Sequence, residues 1–250
     1  MSLAAATMRD RIDTQLVARG LAESREKAKR FILAGAVRVN GQLAHKPSDL
    51  VEENAVLLIE TAEKYASRGG YKLEAALTTF SISCRGLICA DLGASTGGFT
   101  DCLLQGDAAR VHAVDVGKGQ LNWKLRQDAR VVIHDEMNAR NLTVATLGES
   151  VDLVTIDVSF ISLTKVLPAA VEILKAGGML MALIKPQFEA GKKLVKKGGV
   201  VRDSRVHEAV TKMVRDFATE TLGLTLLGII ESPLLGPAGN KEFLIALYKP

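Results

Sequence analysis

The chain has 250 residues, of which 48% are apolar, 24% charged and 4% aromatic, with a net charge of +4. This composition allows one sizeable aliphatic core and a smaller one, and it excludes disordered, collagen-like and disulfide-scaffold proteins. The longest apolar run, Met179–Ile184, is far too short to cross a bilayer, and no secretory signal is visible, so we expect a cytoplasmic protein.

Basic residues are concentrated in two stretches, 19–46 and 185–215. Two separate positive regions can hold one polyanion at two points, so this distribution favours a nucleic-acid partner more than the net charge does. A solvated helix face is the alternative explanation for either stretch alone.

The first 60 residues predict a small α+β unit. We expect a helix over Arg9–Arg19 and a second helix that Ser24 caps and that ends near Gly35. After them we expect a strand over Val37–Val39, a tight turn at Asn40 and Gly41, and a last strand over Ala55–Ile59.

Residues 61–70 are predicted to be a linker between a domain over 8–60 and a domain over 71–250. Beyond it, apolar strand-like runs alternate with helical stretches, which is typical of a parallel sheet. The seven predicted strands lie near Leu87–Asp91, Val111–Asp115, Val131–His134, Val151–Asp157, Met179–Ile184, Leu224–Glu231 and Phe243–Tyr248. Because residues 232–241 are too few for a crossover helix, the seventh strand should be antiparallel.

A glycine-rich turn, Asp91–Thr100, directly follows the first of these strands and opens a helix. Its glycines let the backbone approach a ligand at the carboxyl end of the strand. Asp115 ends the second strand, where its carboxylate can accept hydrogen bonds from both ribose hydroxyls of an adenosine. Ser95 stands where a dinucleotide-binding turn has its second glycine, which disfavours an enzyme that transfers hydride. The sequence has no Walker motif, which disfavours an enzyme that transfers phosphoryl groups.

The acidic residue that opens this turn and the antiparallel seventh strand resemble class I methyltransferases, which have a Rossmann-like α/β sheet. The resemblance implies S-adenosylmethionine as the cofactor, with Asp115 at the ribose and Asn138 on the adenine side. The predicted cofactor-binding residues are Asp91, Gly93, Ser95, Gly97, Gly98, Phe99, Asp115 and Asn138.

Asp157 and Lys185 follow the fourth and fifth strands, so both should emerge at the same edge as the glycine-rich turn. Burial would favour the neutral amine of Lys185 and the nearby carboxylate would favour the ammonium, so the two groups should titrate together. A neutral amine could accept the proton of an attacking hydroxyl. Lys72 and Glu242 can reach the same edge, although phosphate binding or a surface salt bridge is the alternative role for the lysines.

The absence of two known motifs limits which atom of the substrate can accept the methyl group. Enzymes that methylate exocyclic amines usually carry two prolines after the fourth strand, where this chain has Val158 and Ser159. Methylation at carbon five of a pyrimidine needs a cysteine nucleophile, usually after a proline, and no cysteine here follows one. A hydroxyl acceptor with a lysine base is the best remaining chemistry, and if that hydroxyl is the 2′-hydroxyl of a ribose, the substrate is RNA.

Five segments together resemble the haemolysin A (TlyA) family of ribosomal RNA 2′-O-methyltransferases. They are Ser67–Leu73, Asp91–Thr100, Asp157–Phe160, Lys185–Glu189 and Gly239–Phe243. The second half resembles the FtsJ-type methyltransferase domain, whose catalytic Lys-Asp-Lys-Glu tetrad corresponds to Lys72, Asp157, Lys185 and Glu242. The resemblance implies ribosomal RNA or ribosomal subunits as the partner, and cytidine riboses as the target.

The N-terminal unit resembles the RNA-binding module of ribosomal protein S4, also called the alpha-L motif. The resemblance implies that basic side chains of this unit contact phosphates, namely Arg11, Arg19, Arg25, Lys29, Arg30 and Lys46. Two other functions stay open at this point. One is a ribosome-binding assembly factor without catalysis, which an intact tetrad disfavours. The other is a membrane-lytic haemolysin, although no strongly apolar amphipathic helix stands out, and neither a membrane nor a metal ion is among the partners we expect.

Overall fold

The computed structural model describes residues 9–59, 64–191, 195, 198–236 and 238–250. Contacts within the chain divide it into two compact units, Met1–Glu63 and Lys64–Pro250. The predicted linker overlaps this division, but its residues 61–63 lie outside the described part of the chain.

The first unit combines two helices with two small sheets. Its elements are β1 (Arg9–Arg11), α1 (Ile12–Ala18), α2 (Arg25–Leu33), β2 (Val37–Val39), β3 (Gln42–Leu43), β4 (Leu50–Glu52) and β5 (Leu57–Ile59). Strand β2 pairs with β3 and β5 in one sheet, and β1 pairs with β4 in the other. Ser24 caps α2 as predicted, because its hydroxyl accepts a hydrogen bond from the backbone N–H of Lys27.

The prediction of one helix over Arg9–Arg19 is wrong at its beginning. Residues Arg9–Arg11 form a strand because their backbone pairs with Leu50–Glu52, some forty residues later in the chain, and no local pattern indicates such a partner. The tight turn is confirmed: Asn40 and Gly41 have φ values of +50° and +81°, as a two-residue hairpin between β2 and β3 requires.

The second unit is a seven-stranded sheet with helices on both faces. Its strands are β6 (Ile88–Leu92), β7 (Arg110–Val114), β8 (Val131–His134), β9 (Val151–Ile156), β10 (Leu174–Ile184), β11 (Thr225–Glu231) and β12 (Phe243–Tyr248). Its helices are α3 (Gly69–Thr79), α4 (Gly98–Gln105), α5 (Trp123–Arg126), α6 (Val144–Leu147), α7 (Leu167–Ile173), α8 (Pro186–Glu189) and α9 (Ser204–Asp216), which continues into a π-helical turn over Phe217–Thr221.

The strand order is β8-β7-β6-β9-β10-β12-β11. The neighbouring pairs from β8 to β10 are parallel, whereas β12 runs antiparallel to both β10 and β11. The predicted Rossmann-like sheet with an antiparallel seventh strand is therefore confirmed. The parallel strands place all their carboxyl ends at one edge of the sheet, where ligands bind in open α/β folds.

Gly69 and Gly70, which the sequence predicts to lie in the linker, belong to the first turn of helix α3. The buried ring of Tyr65 packs against this turn, since a Cβ atom on Gly70 would lie 2.2 Å from it. The described residues before this helix, 64–68, therefore belong to the second unit.

Apolar side chains from both faces of the sheet form two clusters, one beneath α7 and α9 and the other beneath α3 and α4. A separate, smaller cluster lies inside the first unit. Within the described ranges, no helix has the length and apolar composition needed to traverse a bilayer.

Candidate active site

A cleft of about 480 Å³ opens at the carboxyl ends of β6, β7 and β9. Its volume falls within the range of sites that enclose small ligands. Residues from all three strand ends line it, including Gly93, Ser95, Val114, Asp115, Val116, Gln120, Met137, Asn138, Asp157, Val158, Ser159, Phe160 and Ile161.

Gly93 is required where β6 meets the end of β9. Its φ is +89°, and a Cβ atom there would lie 2.6 Å from the carbonyl oxygen of Asp157. On the same side, the backbone N–H of Asp157 donates to the carbonyl oxygen of Leu92 at 2.9 Å. The glycine thus lets the turn and the strand end that carries Asp157 come together at the cleft.

Asp115 organises the opposite wall. One carboxylate oxygen accepts a hydrogen bond from the backbone N–H of Ser95 at 2.8 Å, and the other accepts one from Gly117 at 2.7 Å. A carboxylate oxygen has two lone pairs, so each oxygen retains an acceptor position for a ligand hydroxyl. The arrangement fits the two adjacent hydroxyls of a ribose.

Asn138 and Gln120 contribute amide groups to the cleft. The Asn138 side chain caps a short 3-10 turn by accepting from the backbone N–H of Arg140 at 3.1 Å. Gln120 lies within 3.4 Å of the Ser95 hydroxyl, and no motif in the sequence pointed to it.

The other four residues predicted to bind the cofactor lie behind the cleft wall. The fully buried carboxyl group of Asp91 accepts hydrogen bonds from Thr100 at 2.7 Å and Thr155 at 3.2 Å, and burial raises its pKa to about 7. Gly97 allows contact with Leu121 and Leu125, Gly98 faces Ser67, and the Phe99 side chain is in the core. These residues shape the turn from within.

The predicted catalytic tetrad forms two ion pairs. Lys185 Nζ lies 2.6 Å from Asp157 Oδ1 and 2.9 Å from the hydroxyl of Ser159. Lys72 Nζ lies 2.5 Å from Glu242 Oε2, and this second pair is almost completely buried.

Strand register brings the two pairs to one edge of the sheet. Ile184 is opposite Phe243 in the antiparallel pair of β10 and β12, so Lys185 and Glu242 occupy the next facing positions. Asp157 follows β9, the parallel neighbour of β10. The tetrad therefore gathers at the carboxyl ends of β9 and β10, beside the cleft.

Within the described part of the chain, each of the two ion pairs contains one buried carboxylate oxygen without a well-aligned hydrogen bond. Asp157 Oδ1 and Glu242 Oε1 are buried and accept no well-aligned hydrogen bond from the described residues, although the ammonium of Lys185 is close to the former. Buried polar atoms normally have a partner. Asp157 Oδ1 has its ion pair with Lys185, so Glu242 Oε1 is the candidate contact for a substrate hydroxyl or a water molecule.

Phe160 lines the cleft and was not singled out from the sequence as a site residue. Its side chain is 90% exposed, its φ is +63°, and its ring centroid lies 4.9 Å from that of Phe188. An exposed aromatic residue with a left-handed backbone in the loop after β9 is unusual for a chain with so few aromatic residues.

Glu189, at the end of α8, connects the loops that follow β9 and β10. Its carboxylate accepts from the Ser162 hydroxyl at 2.5 Å and from the backbone N–H of Leu163 at 2.7 Å. Burial raises the pKa of this carboxyl group.

In the first unit, three of the predicted phosphate contacts already hold partners inside the unit. Arg11 and Arg25 form ion pairs with Asp13, whose carboxylate is completely buried, and these partners lower the pKa of Asp13 to about 2. Arg19 donates to the carbonyl oxygens of Glu53 and Ala55. These arginines support the fold of the unit.

The remaining three predicted phosphate contacts are more available. Lys29 forms a surface ion pair with Glu26 at 2.8 Å. Arg30 and Lys46 are exposed, and in the described part of the chain no ion pair engages them.

Two protein-family models match this chain. A model described as "FtsJ-like methyltransferase" matches residues 65–249. The chain belongs to the FtsJ-like methyltransferase family. A second model, "S4 domain", matches residues 10–57, so an FtsJ-like domain follows an S4 domain.

Relatives of the FtsJ-like chain match it over nearly its whole length. The "16S/23S rRNA (cytidine-2'-O)-methyltransferase TlyA" of Mycobacterium tuberculosis is 47% identical, over 96% of this chain and 90% of that protein. "Hemolysin A" of Brachyspira hyodysenteriae is 40% identical, over 94% of this chain and 98% of that protein. The predicted family and the prediction of a methyltransferase are confirmed.

A solved structure from Streptococcus thermophilus that carries a provisional hemolysin name is also similar. It is 44% identical with a TM-score of 0.73, and the match covers 98% of this chain and 90% of that one. The likeness therefore extends across both units.

Proposed function

We propose that this protein transfers a methyl group from S-adenosylmethionine to a ribose 2′-hydroxyl of ribosomal RNA, with cytidine as the modified nucleotide. The observation that carries the proposal is the Asp157–Lys185–Ser159 cluster at the edge of a cleft suited to an adenosine. The relatives named as rRNA cytidine-2′-O-methyltransferases support the choice of substrate.

The residues at the cleft fit S-adenosylmethionine. The two free acceptor positions of Asp115 suit its ribose, and the side chains of Met137 and Asn138 supply an apolar and a polar contact for its adenine. Gly93 and Ser95 leave the backbone close to the ligand. The bound cofactor supplies an activated methyl group on sulfur.

The chain's own residues then have to hold a hydroxyl and take its proton. Asp157 and Ser159 occupy two directions around Lys185 Nζ, and in the neutral amine the third direction holds the lone pair that can meet the incoming hydroxyl. When its amine is neutral, Lys185 would take the proton of this hydroxyl as the oxygen accepts the methyl group, and Asp157 would stabilise the ammonium that forms.

Lys72 and Glu242 form the second ion pair, and Glu242 faces Lys185 where β12 meets β10. Their charges compensate each other in a buried environment, so they add a fixed dipole beside Lys185 without adding net charge. We propose that they orient the reacting groups and do not exchange the proton themselves.

We propose that both units contact the RNA. The S4 domain provides Arg30 and Lys46 for phosphate contacts, and the residues at the mouth of the cleft meet the target ribose. Since the substrate is ribosomal RNA or a ribosomal subunit, we propose that the protein acts in the cytoplasm.

Labelled methyl transfer tests the proposal directly. Purified protein would be incubated with methyl-labelled S-adenosylmethionine and naked ribosomal RNA, isolated subunits or whole ribosomes, and digested RNA would be analysed by mass spectrometry. We expect 2′-O-methylcytidine, and a rate at least about 100-fold lower for Lys185→Met. Lys175→Met is the matched control, because Lys175 lies on the strand that precedes Lys185 and pairs with Asp152 at the opposite end of the sheet.

Three results would contradict the proposal. They are label in none of the RNA substrates, label on a base instead of a ribose, and an unchanged rate for Lys185→Met. The first result would favour an assembly factor without catalysis. Release of dye from lipid vesicles in a parallel assay would favour a membrane-lytic protein.

A further inference from the structure

Two loops at the carboxyl edge of the sheet are joined by side-chain contacts. We name residues 157–163 the β9 loop and residues 185–190 the β10 loop. Lys185 contacts Ser159, Phe188 contacts Phe160, and Glu189 contacts the end of the β9 loop. The contacts follow one another in the same order along both loops.

The β9 loop forms much of one cleft wall. Its residues 157–161 all line the cleft. Burial holds it only in part: Val158 and Ile161 pack against the core, whereas Phe160 between them is 90% exposed and has a positive φ of +63°. A non-glycine residue in this conformation persists only when its surroundings enforce it, so the shape of the loop depends on contacts at its two ends.

Strand pairing fixes the first end of the β9 loop. The backbone N–H of Asp157 donates to Leu92 at 2.9 Å, which joins the loop to β6. At the second end the Leu163 side chain is buried in the core, and the two carboxylate oxygens of Glu189 accept from Ser162 at 2.5 Å and from the Leu163 N–H at 2.7 Å. The Ser162 hydroxyl also caps the following 3-10 turn by accepting from Thr164.

We infer that Glu189 is a positioning residue for methyl transfer: by holding Ser162 and Leu163 it fixes the β9 loop so that Ser159 meets Lys185 and the cleft wall keeps its shape. The inference rests on the function proposed above. Glu189 acts through the loop and does not touch the reacting atoms.

The substitution Glu189→Ala removes both acceptors and should loosen the second end of the loop. We expect kcat to fall at least about 10-fold, because Ser159 no longer holds Lys185 in one orientation. The affinity for S-adenosylmethionine should fall by a smaller factor than kcat, because the β9 loop forms only one wall of the cleft and Asp115 and Asn138 lie in the loops after β7 and β8. The KM for RNA should change by a similarly small factor.

Glu189→Gln is the conservative variant. Its amide oxygen can accept from the Leu163 N–H and its amide nitrogen can donate to the Ser162 hydroxyl. We expect its kcat to stay within about threefold of wild type. Recovery by glutamine would show that the hydrogen bonds matter and that the charge does not.

Asp152→Ala is the matched control for a loss of stability. Asp152 also accepts from a backbone N–H, that of Ile88 at 2.9 Å, and from a side chain, that of Lys175 at 2.7 Å. It lies at the amino end of β9, far from the cleft. We expect it to lower the melting temperature without lowering kcat at a temperature where the protein is folded.

Hydrogen exchange gives a readout that does not depend on activity. The Leu163 amide should exchange at least about 10-fold faster in Glu189→Ala than in wild type, and should be unaffected in Asp152→Ala. If wild-type protein methylates no RNA, the proposed function fails and this exchange still tests the anchoring of the loop.

Two outcomes would overturn the inference. One is fast exchange at Leu163 with a kcat within about threefold of wild type, which would mean that the loop does not need to be held. The other is an equal loss of kcat in Glu189→Ala and Asp152→Ala, which would reduce the effect to general destabilisation.

Discussion

Lys72 Nζ lies 2.5 Å from Glu242 Oε2, although the two residues are 170 positions apart in the chain. Their side chains are 8% and 1% exposed. Removing one member of such a pair leaves a buried charge without compensation, whereas replacing both by apolar groups is often tolerated.

Substitutions of this pair should therefore affect the stability of the protein and its activity to different extents. We expect Glu242→Ala to lower the free energy of unfolding by about 3 kcal/mol, and the double variant Lys72→Met/Glu242→Leu to recover most of that loss. Methyl transfer by the double variant should remain about 100-fold below wild type, because the dipole beside Lys185 is gone. Urea unfolding and transfer rates measure the two effects, and recovery of activity together with stability would make the pair purely structural.

Asp91 should make stability depend on pH. Its pKa is raised from 3.8 to about 7, chiefly because the carboxyl group is buried, so the folded state binds its proton more tightly than the unfolded state. The resulting stabilisation is complete below pH 3.8 and is lost as pH rises towards 7, with a slope of at most about 1.4 kcal/mol per pH unit.

Asp91→Asn should remove that slope, because the amide stays neutral and can still accept from Thr100. Unfolding midpoints between about pH 5 and pH 8 compare the variant with wild type. Asp152→Asn is the control, because the pKa of Asp152 is lowered and its contribution is constant over this range. A wild-type slope that survives in Asp91→Asn would assign it to other groups.

Gly93→Ala should damage the cleft more than a similar change nearby. A Cβ atom at Gly93 would lie 2.6 Å from the backbone oxygen of Asp157, and φ there is +89°. Gly119 also has a positive φ, +67°, but open space around it. We expect Gly119→Ala to cost about 1–2 kcal/mol of stability from backbone strain alone.

Gly93→Ala should cost more than that and should also weaken S-adenosylmethionine binding at least about 10-fold, because the β6 turn must move away from Asp157. Calorimetric titration with the cofactor and thermal unfolding give the two quantities. Equal effects of the two substitutions would show that the close approach is not needed for binding.

Arg30 and Lys46 should carry the salt-dependent part of RNA binding by the first unit. We expect Arg30→Gln/Lys46→Gln to weaken RNA binding and to reduce the slope of log affinity against log salt by about 1 for each phosphate that is no longer neutralised. Arg25 is left intact, because it pairs with the buried Asp13 and its removal would disturb the fold.

The control for this pair is Arg85→Gln/Lys175→Gln, which removes the same charge near the amino ends of β6 and β10. Binding would be followed by fluorescence anisotropy of labelled RNA at several salt concentrations, and turnover at saturating RNA should be unchanged in both variants. An equal reduction of the salt slope by both would assign it to net charge and not to the S4 domain.

Much of the second unit could be predicted from its sequence. Strand β10 is apolar over Met179–Ile184 and the segment 232–241 is short, so the period of the pattern and the loop length already determined the sheet and its antiparallel last strand. Strands β1 and β4 could not be predicted, because each has three residues and forms only when the other is beside it. Asp157 and Lys185 could be placed at the cleft edge because each follows a strand, whereas Lys72 and Glu242 were added by the resemblance to the FtsJ-type domain. The catalytic role of all four stays a prediction.

The sequence could not determine how each side chain is used. Arg25 and Arg30 are both basic residues of helix α2, yet only Arg25 meets a buried carboxylate, Asp13. Asp91 and Asp115 both lie at strand ends, yet the first is enclosed beneath the turn while the second lines the cleft. Local composition sets what a side chain can do, whereas its partner and its exposure depend on residues far along the chain that only the folded structure brings into contact.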